Sequence, residues 1–401
     1  LQAIDDFNQA IRINPRDAQA YYQRGLAHLQ QEDFTQAVAD FNEAIILEPD
    51  CVAGYRHRGQ MRRELDDLEG ALADYDRVTA LEPDGAAGHD ERGLVLLALG
   101  RLEAAVASFE RAAALHTSDA ELAKAHYHRG LAYADAGDLP AAIENYDQAV
   151  TLDREQAPAY HGRGRARQAL GDLRGAIADY GQAVKRHVTP EDKALVFLER
   201  GLAYQEQGDL ESAVADYDQA MTLEPDLPTV YYHRGTAFED EGDPEAAVAD
   251  YSEAIALDDK LAPAFYRRGL AQAALGDLAS AVEDLNWAIH LAPGDAAIYH
   301  ARADVLYQQN NLPAAAEDCT QALALYAPSA VQEQIGAYHQ RGLAHHGLGE
   351  LPAALADLDQ ALALDPERGS AYCDRGRVHQ AMGNLGEAIA DFSNAVACEM
   401  P

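Results

Sequence analysis

The amino-acid sequence predicts an all-α fold, a stack of antiparallel helical hairpins. Three observations lead to this fold class. A pattern of about 34 residues recurs along the 401-residue chain. Within each copy, small and apolar residues recur at helical spacing in two separate stretches. Between these stretches Gly is often followed by Asp, as at Gly137-Asp138, which indicates one helix ending and another beginning.

An Arg-Gly pair marks the repeat most clearly. The small residue of the pair, Ala303 in one copy and Gly elsewhere, defines position 8 of a 34-residue repeat. Successive intervals are 34 residues, except for two of 37 and one of 39. The glycines are Gly25, Gly59, Gly93, Gly130, Gly164, Gly201, Gly235, Gly269, Gly342 and Gly376.

Other positions follow the same register. Position 4 is usually Tyr, position 20 is always Ala, position 24 is mostly aromatic, and Pro often stands at position 32. This pattern resembles the tetratricopeptide repeat (TPR) family over essentially the whole chain. One departure is systematic, because position 7, usually Leu in the family, is Arg in every repeat. The resemblance implies a right-handed superhelical solenoid whose first helices line a concave groove.

The register predicts 23 helices, one leading helix and eleven hairpins. Neither end shows the polar cap with which solenoids normally finish, so we expect a piece of a longer protein. The leading segment, 1–17, is the second helix of a truncated repeat, and the hairpins are expected over 18–51, 52–85, 86–119, 123–156, 157–190, 194–227, 228–261, 262–295, 296–329, 335–368 and 369–401.

The three longer intervals predict longer first helices. Capping boxes begin at Ser118 and Ser329, and Thr189 precedes a proline suited to the first helical position. We therefore expect helices that start near Asp119, Pro190 and Ala330 and run about one turn longer than the other first helices.

Positions 7 and 23 predict ion pairs between the two helices. Helical spacing predicts that positions 4, 7, 8 and 11 face inward on the first helix and positions 20, 23, 24, 27 and 30 on the second. Position 7 is Arg in all eleven repeats and position 23 is Asp in nine, so both fall on these inward faces. A buried charge without a partner costs several kcal/mol, which favours pairing over an arginine ladder that grips an acidic ligand. Each Arg could pair within its own hairpin or with the preceding one. The pairs include Arg24–Asp40, Arg58–Asp74, Arg200–Asp216 and Arg234–Asp250.

Composition narrows the partner classes. The net charge of −36 disfavours nucleic acid and anionic membranes, so a protein or peptide, with basic residues or neutral, is the expected partner. Four scattered cysteines indicate buried thiols in a reducing compartment, and no segment is apolar enough to span a membrane, which predicts a cytoplasmic protein. No catalytic or cofactor motif stands out. His300, His339 and His346 would line the groove as polar residues in preference to a metal site.

The groove positions of the family contain tyrosines and a group of acidic residues. Tyrosine suits peptide recognition, although these rings could equally pack between neighbouring first helices. Aromatic and acidic residues together suit a peptide with basic residues beside an apolar anchor. The candidates are Tyr22, Tyr127, Tyr232 and Tyr266 with Glu199, Glu206, Glu239 and Asp240.

Three functions remain open at this point. The first is a non-enzymatic protein–protein interaction scaffold that binds a peptide or helix in its groove. The second is a regulatory arm of a larger enzyme, such as a kinase, ATPase or protease, whose catalytic domain lies outside this segment. The third is an architectural spacer without a groove ligand.

Overall fold

The computed structural model describes residues 2–399, and within that range the regular elements are 23 α-helices. The predicted all-α fold and its helix count are therefore confirmed. The helices are α1 (Gln2–Ile13), α2 (Ala18–Leu29), α3 (Phe34–Leu47), α4 (Val52–Glu64), α5 (Leu68–Leu81), α6 (Ala86–Ala98), α7 (Leu102–Leu115), α8 (Asp119–Asp135), α9 (Leu139–Leu152), α10 (Ala157–Ala169), α11 (Leu173–Arg186), α12 (Pro190–Gln207), α13 (Leu210–Leu223), α14 (Pro228–Glu241), α15 (Pro244–Leu257), α16 (Ala262–Ala274), α17 (Leu278–Leu291), α18 (Ala296–Gln308), α19 (Leu312–Leu325), α20 (Val331–Leu348), α21 (Leu351–Leu364), α22 (Gly369–Ala381) and α23 (Leu385–Glu399).

The chain forms two compact units, unit 1 up to Gln207 and unit 2 from Gly208 onwards. Within each unit, a first helix packs against the second helix of its own hairpin and against the second helix of the hairpin before it. Neighbouring first helices also contact one another, as α14, α16 and α18 do in unit 2. We call the face that these three helices share the first-helix face of unit 2.

Close helix packing depends on small residues facing a large ring. Gly93 lies against the buried ring of Phe109, where an added Cβ would stand 2.5 Å from Cε1. The same arrangement joins Gly235 to Tyr251. Where position 8 is Ala303 instead, position 24 is the small, fully buried Cys319. The two positions therefore compensate each other in volume, because a core has no spare space for an extra methyl group.

The hairpin turns form as the Gly-Asp signal predicts. Gly137 adopts a left-handed conformation with φ of +80°, and the Asp138 carboxylate accepts a hydrogen bond from the Ala141 N–H. Glycine takes this conformation without steric cost, and the aspartate satisfies a free amide of the next helix. The same pair forms the turns that begin at Gly171, Gly208 and Gly276.

The three long first helices form as predicted, but one of their caps does not. Helices α8, α12 and α20 contain 17, 18 and 18 residues, and the other first helices contain 12 to 14. Ser118 caps α8, and Thr189 accepts from the Asp192 N–H at 3.1 Å. The capping box predicted at Ser329 is wrong, because the N-cap of α20 is Ala330 without a side-chain bond.

The buried face of the first helices is centred differently from the prediction. Positions 4, 7, 8 and 11 were expected to face inward, whereas the most buried positions are 3, 8 and 10, and most residues at position 4 are only half-buried. The cause is the contact that each first helix makes with the second helix of the preceding hairpin. Position 3 faces that helix, since a Cβ added at Gly54 would meet Ile45 of α3. The position-3 residues are Ala20, Gly54, Gly88, Ala125, Ala159, Val196, Val230, Ala264, Ile298, Ala337 and Ala371.

The cysteines are more exposed than the sequence suggested. All four are free thiols, and only Cys319 is buried, whereas Cys51 and Cys373 are half-buried and Cys398 is exposed. Cys319 is buried because its small side chain packs in the core opposite Ala303. Burial raises the pKa of its thiol to about 12. Separately, the described helices include none with the length and apolar character that a bilayer-spanning segment requires.

Candidate functional site

The position-7 arginines hold the two helices of a hairpin together. In α14, Arg234 donates through Nε and Nη2 to the two carboxylate oxygens of Asp250, both at 2.7 Å. Its remaining nitrogen, Nη1, reaches Asp218 of the preceding second helix at 2.5 Å. The exposed fractions of the side chains are 20% for Arg234 and 7% for Asp250. One guanidinium therefore joins three helices and neutralises a buried carboxylate.

The same three-helix contact recurs in both units. In nine repeats the arginine meets position 23 of its own hairpin and position 25 of the preceding one. The position-23 partner therefore belongs to the same hairpin, and the preceding hairpin contributes a different position. Position 25 is a carboxylate, amide or hydroxyl at these contacts. The examples are Arg24 with Asp40 and Asn8, Arg58 with Asp74 and Asn42, Arg163 with Asp179 and Asp147, Arg268 with Asp284 and Ser252, Arg302 with Asp318 and Asn286, and Arg375 with Asp391 and Asp359.

The position-4 tyrosines complete this arrangement. The guanidinium carbon of Arg24 lies 5.4 Å from the centre of the Tyr21 ring, within cation–π range. The equivalent distance from Arg375 to Tyr372 is also 5.4 Å. These contacts occupy the guanidinium groups, so they do not fit a ladder open to an acidic ligand. The pairing of Arg200 with Asp216 stays a prediction.

In unit 1, the candidate tyrosines are half-buried on the first helices. The Tyr22 hydroxyl lies 3.3 Å from Nδ1 of His57, and its ring centre lies 5.8 Å from that of Phe41. Tyr127 packs against Tyr146 with ring centres 6.1 Å apart, and burial raises its pKa above the ordinary value. Each ring thus packs between helices and still presents one side to solvent.

The acidic candidates of unit 1 differ in how far they are already paired. Glu199 lies 2.6 Å from Nε2 of His161 and 3.7 Å from Nε of Arg165. Glu206 is exposed and accepts a hydrogen bond from the Gln168 side chain at 3.2 Å. Glu199 is therefore partly used in holding neighbouring first helices together, whereas Glu206 keeps most of its hydration.

In unit 2, Tyr232 lies on the first-helix face beside a carboxylate that is already paired. The ring centre of Tyr232 is 5.8 Å from that of Tyr251. Glu239 accepts from the Tyr251 hydroxyl at 2.8 Å and from Arg267 at 3.3 Å. Asp240 is exposed. The negative charge predicted at Glu239 is thus offset locally by Arg267.

Tyr266 lines an open cavity of about 520 Å³ on the first-helix face. Its walls come from α16, α18 and Tyr326, which directly follows α19. Burial is the main cause that raises the pKa of Tyr266 and lowers that of His300. Burial raises the pKa of Tyr326 to about 12. The cavity combines polar groups with an apolar floor, as ligand-binding sites commonly do.

Sequence reasoning missed two residues of this cavity, Asp304 and Tyr326. Asp304 stands at position 9, where six other repeats carry Leu, and this departure from the repeat could have marked it. Tyr326 could also have been noticed, because it lies within the longest of the three long intervals, between Ala303 and Gly342. The leucines at position 9 are Leu26, Leu94, Leu131, Leu202, Leu270 and Leu343.

The three long intervals share one local structure. In each, the residue directly after the preceding second helix turns its ring onto position 5 of its own repeat. His116 places Nε2 2.5 Å from the Asp90 carboxylate, and the Tyr326 hydroxyl lies 3.1 Å from Nδ1 of His300. The pairs are His116 with Asp90, His187 with His161, and Tyr326 with His300. This contact closes the inner side of the lengthened connection.

The groove histidines do not gather into a metal site. Within residues 2–399, no three His, Cys, Asp or Glu side chains are arranged so that they could hold a metal ion. His339 instead lies 2.8 Å from Asp374, and His300 contacts Tyr326. These histidines line the first-helix faces as polar residues.

Several family models match the chain. A model described as "Tetratricopeptide repeat" matches residues 58–120, 161–198, 266–330 and 339–399, which together exceed half of the chain. The chain belongs to the tetratricopeptide repeat family. Two further tetratricopeptide repeat models match 18–51 and 228–261, and one described as "TPR repeat" matches 2–32, 130–171 and 201–242.

Several solved structures resemble this chain at low identity. The C-terminal part of a TPR repeat-containing protein from Cytophaga hutchinsonii has a TM-score of 0.53 and 18% identity, covering 62% of this chain and 98% of that one. Yeast Tom70 has a TM-score of 0.41 and 14% identity, with coverage of 96% and 92%. MamA has a TM-score of 0.39 and 22% identity, with coverage of 41% and 94%. At 18% identity, the likeness to the Cytophaga hutchinsonii protein shows the TPR fold alone. No curated protein matches the sequence.

Proposed function

We propose that this TPR protein is a non-enzymatic interaction scaffold that binds a peptide or helix of a partner protein. The observation that supports this most is the pair Tyr232 and Tyr266, which occupy the same repeat position on adjacent first helices of unit 2 and are each half-buried. Tyr266 also lines the open cavity of about 520 Å³. Binding proteins commonly combine rigid aromatic rings with a concave, partly apolar surface in this way.

The tyrosine rings are suited to this role because packing already holds them in place. Tyr232 lies against Tyr251 and His233, with ring centres 5.8 Å and 5.1 Å away. A ring that is fixed before binding loses little conformational freedom when a ligand covers its open side. In unit 1, Tyr22 and Tyr127 offer rings of the same kind, with Glu206 as an exposed carboxylate and Glu199 as a paired one.

Charge favours a partner segment that contains basic residues. Unit 2 presents the exposed carboxylates of Asp240 and Asp304 on first helices, and the whole chain carries a net charge of −36. An acidic surface attracts a basic segment and repels an acidic one. Because exposed charges are screened over about 10 Å at 0.1 M salt, we expect binding to weaken as the salt concentration rises.

Replacing Tyr232 and Tyr266 together by alanine is expected to weaken the binding of partner peptides at least about tenfold, because aromatic anchors contribute most of the energy at such interfaces. The measurement is the retention of a peptide library by the immobilised full chain and by the double variant.

Trp287→Ala is the matched control. Trp287 lies on the second helix α17, is 54% exposed and stacks on Phe265 of α16. This change also removes a large aromatic side chain, but Tyr232, Tyr266 and the lining of the cavity keep their side chains. Full retention by the Trp287→Ala variant is expected. If the double tyrosine variant kept every peptide that the wild type binds, the proposed site on unit 2 would be refuted.

A further inference from the structure

We propose that the cavity between α16 and α18 binds one lysine or arginine side chain of the partner, with Asp304 contacting its charged end. This proposal deepens the proposed function and rests on it, since it names the chemistry that one pocket of the first-helix face would recognise. The cavity measures about 520 Å³ and opens to solvent beside Tyr266.

The lining of the cavity matches the two parts of such a side chain. Leu270 and Val305 supply an apolar surface for the methylene stem. The rings of Tyr266 and Tyr326 belong to the same lining, and an aromatic face attracts a cation that lies above it. Asp304 provides the carboxylate on which the ammonium or guanidinium group would end.

Asp304 is a carboxylate without a cation. In the described part of the chain, no hydrogen bond or ion pair holds it, and the only neighbour that favours its charged form is His300. The partial desolvation of the site outweighs that attraction and raises the pKa of Asp304 above its ordinary value. A carboxylate in such surroundings is stabilised when a cation enters and supplies the missing charge.

The repeat itself shows that Asp304 is not required by the fold. Position 9 is Leu in six other repeats, including Leu270 on the adjacent first helix, and Asp304 is exposed to solvent. An aspartate there adds nothing to the packing of α18. By contrast, Asp318 on α19 is buried and held by Arg302 through two hydrogen bonds. Asp318 is therefore neutralised within the fold, whereas Asp304 faces the open cavity.

Other ligands fit the cavity less well. Its lining includes no lysine or arginine, and burial lowers the pKa of His300, so an anion would find no permanent positive charge there. A fully apolar side chain would bury the Asp304 carboxylate without a partner, which costs free energy. A lysine or arginine satisfies both the apolar and the charged parts of the surface.

The test is a peptide library with one fixed central residue, presented to the immobilised full chain. Separate pools carry lysine, arginine, norleucine or glutamate at the centre and mixed residues elsewhere. The wild type is expected to retain the lysine and arginine pools about tenfold more than the norleucine pool, the effect of one charge-assisted contact. Asp304→Asn should remove this preference, and Asp304→Lys should transfer it to the glutamate pool.

Glu253→Gln is the control, since it removes the same charge from an exposed position on the second helix α15 and should leave the preference unchanged. Thermal unfolding of each variant verifies that it is folded. Equal retention of the lysine and norleucine pools by the wild type, or a preference that survives Asp304→Asn, would overturn the cavity assignment while the proposed function stands. Failure of the wild type to retain any pool would overturn both.

Discussion

Replacing Arg234 with alanine is expected to lower the local free energy of unfolding of its hairpin by about 3–5 kcal/mol. The change leaves the Asp250 carboxylate, 7% exposed, without the two hydrogen bonds that now neutralise it. It also removes the contact to Asp218 that joins α14 to the preceding hairpin. Hydrogen exchange of the α14 and α15 amides measures the loss locally, which suits a repeat protein whose parts can unfold separately.

Arg129 provides the matched control for this prediction. It occupies the same position 7, but its partner at position 23 is the neutral amide of Asn145, which also donates to the Ala141 carbonyl. Arg129→Ala therefore leaves no buried charge behind, and we expect a loss of only about 1–2 kcal/mol. Equal losses at Arg129 and Arg234 would show that the arginines act through packing of their stems and not by neutralising a buried carboxylate.

Replacing Gly93 with alanine is expected to destabilise the third hairpin by about 1–3 kcal/mol. The new methyl group would stand 2.5 Å from Cε1 of Phe109, whose ring is fully buried and cannot move aside without disturbing the core. This steric cost exceeds the gain of up to about 1 kcal/mol that alanine gives over glycine within a helix. Denaturant-induced unfolding followed by circular dichroism measures the difference.

Gly386→Ala tests the same substitution where space is available. Gly386 lies in the first turn of α23, and an added Cβ would meet no heavy atom within 4 Å. We expect this variant to be unchanged or stabilised by up to about 1 kcal/mol. A Gly93→Ala variant as stable as the wild type would show that the close approach of the two helices does not depend on glycine at position 8.

Repetition explains why so much of the fold could be predicted from one sequence. A single Gly-Asp pair is a weak turn signal, but five such pairs at matching positions, such as Gly137-Asp138, leave little room for another interpretation. The long helices α8 and α12 could be predicted because Ser118 and Thr189 act within three residues of themselves. Such local signals do not depend on what packs around the helix.

Most features of the helix packing and of the cavity that escaped prediction depend on contacts between hairpins. The bond from Arg234 to Asp218 crosses from one hairpin to the preceding one, and no single-repeat pattern reveals it. For the same reason, the deep burial of position 3 was missed. The cavity at Asp304 is lined by two neighbouring first helices and by Tyr326, so a pattern within one repeat does not reveal it. The cap at Ser329 failed although its sequence fits the motif, because α20 begins one residue later than the box requires.

Photo-crosslinking tests most directly whether partners bind the first-helix face of unit 2. A lysine-centred peptide retained by the wild type, with a benzophenone residue beside the lysine, would be irradiated on the full chain and the linked residues identified by mass spectrometry. Binding to this face predicts crosslinks to α14, α16 and α18, with attachment near Tyr266 and Asp304 lost in the Asp304→Asn variant. Crosslinks confined to the second helices α15, α17 and α19 would contradict it.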